Sequence, residues 1–242
     1  MRKPSLISVE PNLKAGLDAS SRGDITIVVD VLRFSSSVVV GLAHGVTAIT
    51  PVRTLKEARL LRKQNKGLIL AGEREGLKPK GFQLGNSPSE FLRSDLDGKQ
   101  IVMTTTNGTM ALEYSKGSRW LLVGSFINAR AVSKAASAIS KKRKGISIIL
   151  ACRLGRFFLE DFLCAGLLVS NMTDRLTDMN DEAMAARLAW LGVKSDFRKV
   201  VRKSKHAVYL REIGYEKDVE LCLQRDTCDL VPHLKKNKII RL

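Results

Sequence analysis

Short apolar runs alternate with helix-forming segments over residues 25–173 of the chain. The runs contain few polar residues, which is typical of strands that are covered on both faces. Strands that alternate with helices predict an α/β fold with a largely parallel sheet. The predicted strands are 25–30, 46–51, 67–71, 101–103, 120–123 and 146–151.

Helix-capping signals indicate where several of the intervening helices begin. Thr54-Leu-Lys-Glu57 and Ser87-Pro-Ser-Glu90 are capping boxes, and the second also carries proline at the first helical position. Asn128 is expected to cap an alanine-rich helix that ends near Ser140. A further helix is expected over 158–173. The caps therefore support the alternation of strands and helices.

Beyond about Asp174 helical segments dominate. Helices are expected over 181–191 and, in one or two pieces, over 196–214, and the segment 238–242 is predicted to be an edge strand. We expect a three-layer α/β/α fold with a mostly parallel, mixed sheet and a helical C-terminal portion. One compact domain over 1–242 is the simplest interpretation, and two tightly packed subdomains with a boundary near 174 are the alternative.

The net charge of +17 raises the question of a nucleic-acid partner. Lysines and arginines are scattered along the chain, and aromatic residues are only 5% and do not interleave with the basic clusters. This pattern lacks the stacking platform of a single-strand binder, so nucleic acid is disfavoured as the main partner. A positive field would also concentrate a small polyanionic substrate.

The remaining composition excludes other classes of protein. No run of eighteen apolar residues is present, so no membrane span or membrane partner is expected, and the N-terminal apolar stretch is too short for a signal peptide. We therefore expect a cytoplasmic location. Spacing of the cysteines and the scarcity of histidine disfavour a structural zinc site. Free thiols are expected, a Cys222–Cys228 disulfide is left open, and so is a homodimer.

The stretch Ile101-Val-Met-Thr-Thr-Thr-Asn-Gly-Thr109 predicts a strand that turns through hydroxyls and a glycine into a helix. The first N–H groups of a helix have no internal partner, and the helix dipole favours negative charge there. Gly108 would let the backbone approach a ligand. The segment is therefore a candidate anion cradle, and a simple N-cap after a strand is the alternative.

Other polar residues follow the predicted strands in the same way. Asp30 and Arg33 follow one strand, Glu73 and Arg74 follow another, and 152–161 includes Asp161. Ligands of open α/β sheets bind beyond the carboxyl ends of the strands. Acids there can hold magnesium, and arginines bind phosphate through paired hydrogen bonds. Together these residues suit a metal-assisted reaction on a phosphate ester.

Each of these residues also has a structural interpretation. Asp30 could cap the turn that follows it, Arg33 could form an ion pair with Asp30, and Glu73 could be a solvated loop acid. Asn86 and Ser87 are interpreted as capping residues. All three histidines lie outside the predicted site and are interpreted as structural or exposed: His44, His206 and His233.

Several stretches, taken in order, resemble the 2-phosphosulfolactate phosphatase family. They are Val29-Asp-Val-Leu-Arg33 with the serines that follow, Ala71-Gly-Glu-Arg74, Gly81-Phe-Gln-Leu-Gly-Asn-Ser-Pro88, Thr104-Thr-Thr-Asn-Gly-Thr109, Gly124-Ser-Phe-Ile-Asn128 and Leu159-Glu-Asp161, with a weaker match in Ser204-Lys-His206 and in 218–232. The resemblance implies a three-layer α/β/α fold and a magnesium-dependent hydrolase. Its expected reaction is hydrolysis of 2-phospho-3-sulfolactate to 3-sulfolactate and phosphate, in coenzyme M biosynthesis.

One segment departs from the family's pattern. After the Cys152 strand the family usually has a longer segment that ends in Ser before Leu-Glu-Asp, whereas this chain has Phe158 at that position. The geometry of the loop and the choice of substrate are therefore left open. A phosphatase that acts on another 2-hydroxy-acid phosphate is the first alternative, and a basic nucleic-acid-binding protein is the second.

The residues expected to act fall into two groups. Asp30, Arg33, Glu73 and Asp161 are the expected catalytic residues, and Asp30, Glu73 and Asp161 are expected to supply the ligands of Mg²⁺. The expected substrate-binding residues are Arg74, Thr104, Thr105, Thr106, Asn107, Gly108, Thr109 and Asn128. Direct attack by water is favoured over a phospho-aspartate on Asp30, because the Asp-x-Asp of the common aspartate-nucleophile phosphatases is absent.

Overall fold

A computed structural model describes residues 6–140, 145–152, 157–172 and 178–242. Within these ranges the chain forms ten strands and eleven α-helices. The strands are β1 (Leu6–Glu10), β2 (Ile25–Val29), β3 (Ala48–Pro51), β4 (Ile69–Gly72), β5 (Gln100–Thr104), β6 (Trp120–Gly124), β7 (Ile146–Leu150), β8 (Asp178–Met179), β9 (Pro232–Lys235) and β10 (Lys238–Arg241). The helices are α1 (Ala15–Arg22), α2 (Phe34–Ala43), α3 (Leu55–Gln64), α4 (Pro88–Arg93), α5 (Gly108–Ser115), α6 (Ala129–Ser140), α7 (Leu159–Met172), α8 (Asp181–Val193), α9 (Phe197–Arg202), α10 (Lys205–Glu212) and α11 (Glu216–Cys222).

All ten strands form one mixed sheet in the order β4-β5-β3-β10-β9-β6-β2-β7-β1-β8. Strands β4, β5 and β3 form one parallel block, and β6, β2, β7, β1 and β8 form a second. The antiparallel hairpin of β9 and β10 joins the two blocks in the middle of the sheet. The largely parallel, mixed sheet predicted from the apolar runs is therefore confirmed.

Helices cover both faces of this sheet. In β2, Ile27 and Val29 belong to a core with α6, α7 and α8, whereas Val28 belongs to a second core with α2, α4 and α5. Successive side chains of a strand point to opposite faces, so an all-apolar strand needs a helical layer on each side. The three-layer α/β/α fold and the helical C-terminal portion are confirmed.

The two parallel blocks run in opposite directions along the sheet, because three antiparallel pairings separate β3 from β6. Six inter-strand steps separate β4 from β2. At a twist of roughly 20–25° per step the strand direction turns by roughly 120–150°. A rotation of this size reduces the angle between the two blocks, and residues that follow β2, β4 and β5 line one cavity. The residues expected at the strand ends therefore come from two blocks of the sheet.

Two strands differ from the prediction. The segment 238–242 was predicted as an edge strand, but β10 lies between β3 and β9, and Ile239 is fully buried opposite Ile49. The N-terminal strand β1 was not predicted, although it lies between β7 and β8. Both strands are short, and their places depend on pairings with distant segments.

Four further expectations concern the C-terminal helices, the cysteines, the subdomain boundary and a membrane span. Ser204 caps α10, which divides the predicted helix 196–214 into α9 and α10. All four cysteines are free, so the disulfide left open between Cys222 and Cys228 is not formed. The subdomain boundary considered near 174 lies outside the described residues. Over the described ranges, no helix is both long and apolar enough to cross a membrane.

Candidate active site

The turn after β2 is fixed by hydrogen bonds to its own serines. The N–H of Asp30 donates to Oγ of Ser35 at 2.9 Å, and Oδ1 of Asp30 accepts from the N–H of Phe34 at 3.4 Å. Ser36 donates to the carbonyl of Val31 and contacts Oγ of Ser125. Asp30 thus does cap the turn, as the structural interpretation proposed, while its carboxylate still lines a cavity.

Arg33 is held by the C-terminal helices. Its Nη1 donates to Oδ2 of Asp218 at 2.8 Å, and Nη2 donates to the carbonyl of Gly76. The guanidinium carbon lies 3.9 Å from the centroid of the Tyr215 ring. The ion pair considered between Arg33 and Asp30 is therefore replaced by one with Asp218. A guanidinium has five N–H donors, so donors remain for a ligand in the cavity that Arg33 lines.

Glu73 is buried rather than solvated, and it organises the loop after β5. Its Oε1 accepts from the N–H of Thr106 at 2.6 Å, and its Oε2 accepts from the N–H of Gly76 at 2.9 Å. Each carboxylate oxygen has a second lone pair that remains available. Glu73 is thus positioned by backbone donors of two loops.

The segment 104–109 uses several of its donors internally. Thr105 and Thr109 bond each other through their hydroxyl and N–H groups, and the hydroxyl of Thr104 accepts from Nη2 of Arg74. Thr106 and Asn107 line the cavity. Among the described residues, the N–H groups of Asn107 and Gly108 have no hydrogen-bond partner. These two backbone donors of the expected cradle are left for an anion.

Gly108 has a packing role that the sequence did not reveal. A Cβ placed on this glycine would lie 2.4 Å from ring carbons of Phe34. Because Phe34 begins α2 and Gly108 begins α5, the beginnings of the two helices meet at this contact. This packing, between elements of the two sheet blocks, holds Asp30 and Thr106 at one cavity.

His206 belongs to the site, and the expectation that it lies outside was wrong. Its Nδ1 lies 2.8 Å from Oε1 of the fully buried Glu160, and its ring packs at 4.6 Å against the ring of Phe158. Sequence reasoning missed the residue because it lies on a C-terminal helix, far from any predicted strand end. The Ser204-Lys-His206 match at a capping position was the one signal that could have indicated it.

Burial raises the pKa of two aspartates, Asp30 and Asp161. Desolvation raises the pKa of Asp30 to about 6; the nearby His206 lowers this pKa and the Glu73 carboxylate raises it. Burial raises the pKa of Asp161 well above its ordinary value, with further increases from Asp30 and Glu160. Oδ1 of Asp161 accepts from the N–H of Val31 at 2.7 Å. Asp161 therefore supports the turn behind Asp30 and does not line the cavity.

The cavity has a volume of about 110 Å³ and brings together residues from both blocks and from the C-terminal helices. Asp30, Glu73 and Glu75 line it together with Arg33 and His206. The lining residues are Asp30, Leu32, Arg33, Glu73, Glu75, Gly76, Asn86, Thr106, Asn107, Phe158, His206, Tyr209 and Leu210.

Of the residues that we expected to bind substrate, Thr106 and Asn107 line the cavity, whereas Arg74 and Asn128 are among those that do not. Both ends of the buried Asn128 amide are used by the fold, since Oδ1 accepts from the N–H of Ser125 and Nδ2 donates to the carbonyls of Val123 and Leu230. Arg74 donates to the carbonyl of Glu73 and to the hydroxyl of Thr104, and it does not line the cavity. Their side chains connect segments of the fold.

The fit of a magnesium ion depends on the oxygen donors of this cavity. No group of three or more acids, histidines or cysteines close enough to share an ion occurs in the part of the chain that the structure describes. Mg²⁺, however, keeps several waters and often takes only one or two carboxylates. Asp30 and Glu73 supply these, and the buried Oδ1 of Asn86 has no hydrogen-bond partner among the described residues. The donor set fits Mg²⁺.

Comparison with known proteins identifies relatives over most of the chain. The profile of a family described as 2-phosphosulpholactate phosphatase matches residues 12–237. A protein of Thermotoga petrophila named "Probable 2-phosphosulfolactate phosphatase" is 40% identical over 208 residues, which cover 86% of this chain and 88% of that protein. Proteins of the same name from Caldicellulosiruptor saccharolyticus and Clostridium acetobutylicum are 37% and 35% identical, over 85% and 88% of this chain and 86% and 91% of theirs. This chain belongs to the 2-phosphosulfolactate phosphatase family of phosphoric monoester hydrolases.

Proposed function

We propose that the protein is a magnesium-dependent phosphatase that hydrolyses 2-phospho-3-sulfolactate to 3-sulfolactate and phosphate, as a step of coenzyme M biosynthesis. The observation that carries the proposal is one cavity that is lined by Asp30, Arg33, Glu73, Thr106 and Asn107. The names of the relatives support the choice of substrate.

The charges at the cavity support the need for a cation. Three acidic residues line the cavity with one arginine and one histidine, so a polyanionic substrate would meet net repulsion without a counterion. Asp30, Glu73 and Asn86 would hold Mg²⁺, which supplies charge neutralisation and activation of water when bound. The net charge of +17 would attract a small polyanion over longer distances.

The chain's own groups suggest how the substrate is positioned. The free N–H groups of Asn107 and Gly108 would donate to phosphate oxygens at the beginning of α5. The guanidinium of Arg33, fixed by Asp218 and Tyr215, would hold a second anionic group of the substrate. Asp30, whose pKa of about 6 leaves it mostly ionised at neutral pH, would accept the proton of the attacking water.

Phosphate release from 2-phospho-3-sulfolactate tests the proposal, measured with Mg²⁺ and with EDTA, beside phospholactate without the sulfonate. Metal-dependent release that favours the sulfonate supports the named reaction. Equal or faster release from phospholactate keeps the phosphatase and rejects the named substrate, which would favour another 2-hydroxy-acid phosphate. If EDTA does not affect phosphate release, the proposed dependence on Mg²⁺ is rejected.

The route of attack needs a separate measurement. In a single turnover in ¹⁸O-labelled water, direct attack on phosphorus delivers the label to phosphate and leaves the enzyme unlabelled. If Asp30 instead forms a phospho-enzyme and water attacks its acyl carbon, the label enters the carboxylate of Asp30. Label found in Asp30 after one turnover would reject the direct route.

A further inference from the structure

His206 is fixed by a chain of buried polar groups. Its Nδ1 lies 2.8 Å from Oε1 of Glu160, whose Oε2 accepts from Oγ of Ser204 at 3.1 Å. Ser204 also accepts from the N–H of Ala207, which caps the helix that carries His206. Glu160 is fully buried, and the two bonds satisfy both of its oxygens. The orientation of the imidazole is therefore set by residues from α7 and α10.

The other face of the imidazole belongs to the cavity. Phe158 packs against the ring with centroids 4.6 Å apart and planes inclined by 33°. Since Nδ1 is engaged by Glu160, Nε2 is the nitrogen left for a ligand, and the side chain of His206 stays 22% exposed. A histidine that only stabilised Glu160 would have no reason to line the same cavity as Asp30 and Arg33.

We propose that His206 is the general acid of the phosphatase reaction and that Glu160 is its positioning residue. This inference rests on the proposed phosphatase function. As the bond between phosphorus and the ester oxygen breaks, its electron pair goes to that oxygen, and Nε2 of His206 gives it a proton. The attacking water forms the new bond to phosphorus and loses one proton to Asp30, which returns it to the imidazole through solvent.

The chemistry of the leaving group explains why an acid is needed. The ester oxygen of a 2-hydroxy acid would depart as an unstable alkoxide, whereas a nitrophenolate departs without a proton. General acids contribute roughly 10²–10⁴-fold to such steps. The carboxylate of Glu160 engages Nδ1, which leaves Nε2 as the nitrogen that can give a proton to the leaving group.

The test compares an alkyl and an aryl ester in the metal-loaded enzyme. His206→Asn retains a donor near the position of Nδ1 and removes the acid. We expect kcat on 2-phospholactate to fall about 100-fold or more and kcat on 4-nitrophenyl phosphate to fall less than about tenfold. Glu160→Gln is also expected to lower kcat on the alkyl ester more than kcat on the aryl ester, and to leave KM for the aryl ester unchanged. The exposed His44 supplies the control, since His44→Asn should leave both rates unchanged.

Three outcomes overturn the inference. If His206→Asn lowers kcat equally on both esters, His206 has a structural role. If it does not lower kcat on the alkyl ester, His206 is not the general acid. Wild-type enzyme that hydrolyses neither these esters nor 2-phospho-3-sulfolactate rejects the proposed function and the inference together. If the variants do not fold, a series of aryl and alkyl esters with wild-type enzyme decides the question. A steep fall of kcat with leaving-group basicity means that no acid is present, and a shallow fall supports His206.

Discussion

The guanidinium of Arg33 and the carboxylate of Asp218 form a buried ion pair at 2.8 Å, with side chains 2% and 0% exposed. The second oxygen of Asp218 accepts from the hydroxyl of Ser87 and the N–H of Ser89. One aspartate of α11 therefore connects the turn after β2 with the beginning of α4. The position of Arg33 in the cavity depends on this pair.

Asp218→Ala is expected to destabilise the fold by roughly 3–5 kcal/mol, because it leaves a buried guanidinium without its partner. Chemical unfolding of the variant measures this change. The control lies two positions along the same helix: Glu220 pairs with Arg202, and both side chains are 41% exposed. Glu220→Ala should cost at most about 1 kcal/mol. Similar small losses for both variants would contradict a structural role for the buried pair.

The raised pKa of Asp30 predicts a pH-dependent stability of the metal-free protein. A carboxyl with a folded pKa of about 6, above its ordinary 3.8, favours the protonated form in the fold. Its contribution to stability is therefore present at low pH and is lost as the pH rises through about 4 to 6. Asp30→Asn should be more stable than wild type at neutral pH by roughly 3 kcal/mol, and the difference should vanish in acid.

Urea unfolding in EDTA across this pH range measures the difference between wild type and Asp30→Asn. Asp196 provides a control of opposite sign, because its hydrogen bond to Lys199 lowers its pKa. Asp196→Asn should therefore be less stable than wild type near neutral pH. A pH-independent difference for Asp30→Asn would contradict the raised pKa.

Gly108→Ala is expected to destabilise the protein by roughly 1–3 kcal/mol, since the new methyl group would overlap the ring of Phe34. Displacement of Phe34 should also disturb its neighbour Arg33 and lower kcat/KM. Thermal unfolding and steady-state kinetics check the two effects. A methyl group on Gly192 in α8 would meet no atom within 4 Å, so Gly192→Ala should be neutral or stabilising by up to about 1 kcal/mol.

Asn86→Ala is expected to raise the Mg²⁺ concentration for half-maximal activity by about tenfold or more, because it removes an oxygen donor of the proposed site. Activity is measured over a titration of Mg²⁺, and calorimetric binding of the metal provides a second readout. Asn128→Ala is the matched control, since its amide serves the fold. It should lower the melting temperature and leave the requirement for Mg²⁺ unchanged. If wild type, Asn86→Ala and Asn128→Ala need the same Mg²⁺ concentration, Asn86 is not a ligand of the metal.

Local patterns in the sequence were sufficient for β4, β5 and β3 of one block, for β6, β2 and β7 of the other, and for several helix beginnings. The cap at Thr54 and the cap at Ser87 accept the expected bonds from Glu57 and Glu90. Asp30 and Glu73 could be selected because they end apolar runs, and both line the cavity. These features depend on neighbours a few residues away, so the periodicity of the chain contains them.

Tertiary structure decided the partners of these residues. Arg33 and Asp218 are 185 residues apart, and His206 and Glu160 are 46 residues apart, so no local pattern connects them. Contacts between distant segments also explain why β10 was wrongly predicted at an edge of the sheet and why Asn128 was predicted to bind the substrate. The sequence determined which side chains stand at the ends of strands and helices. The packing of α2 on α5, the central β9–β10 hairpin and the C-terminal helices decided which of them meet, because long-range contacts depend on the whole fold.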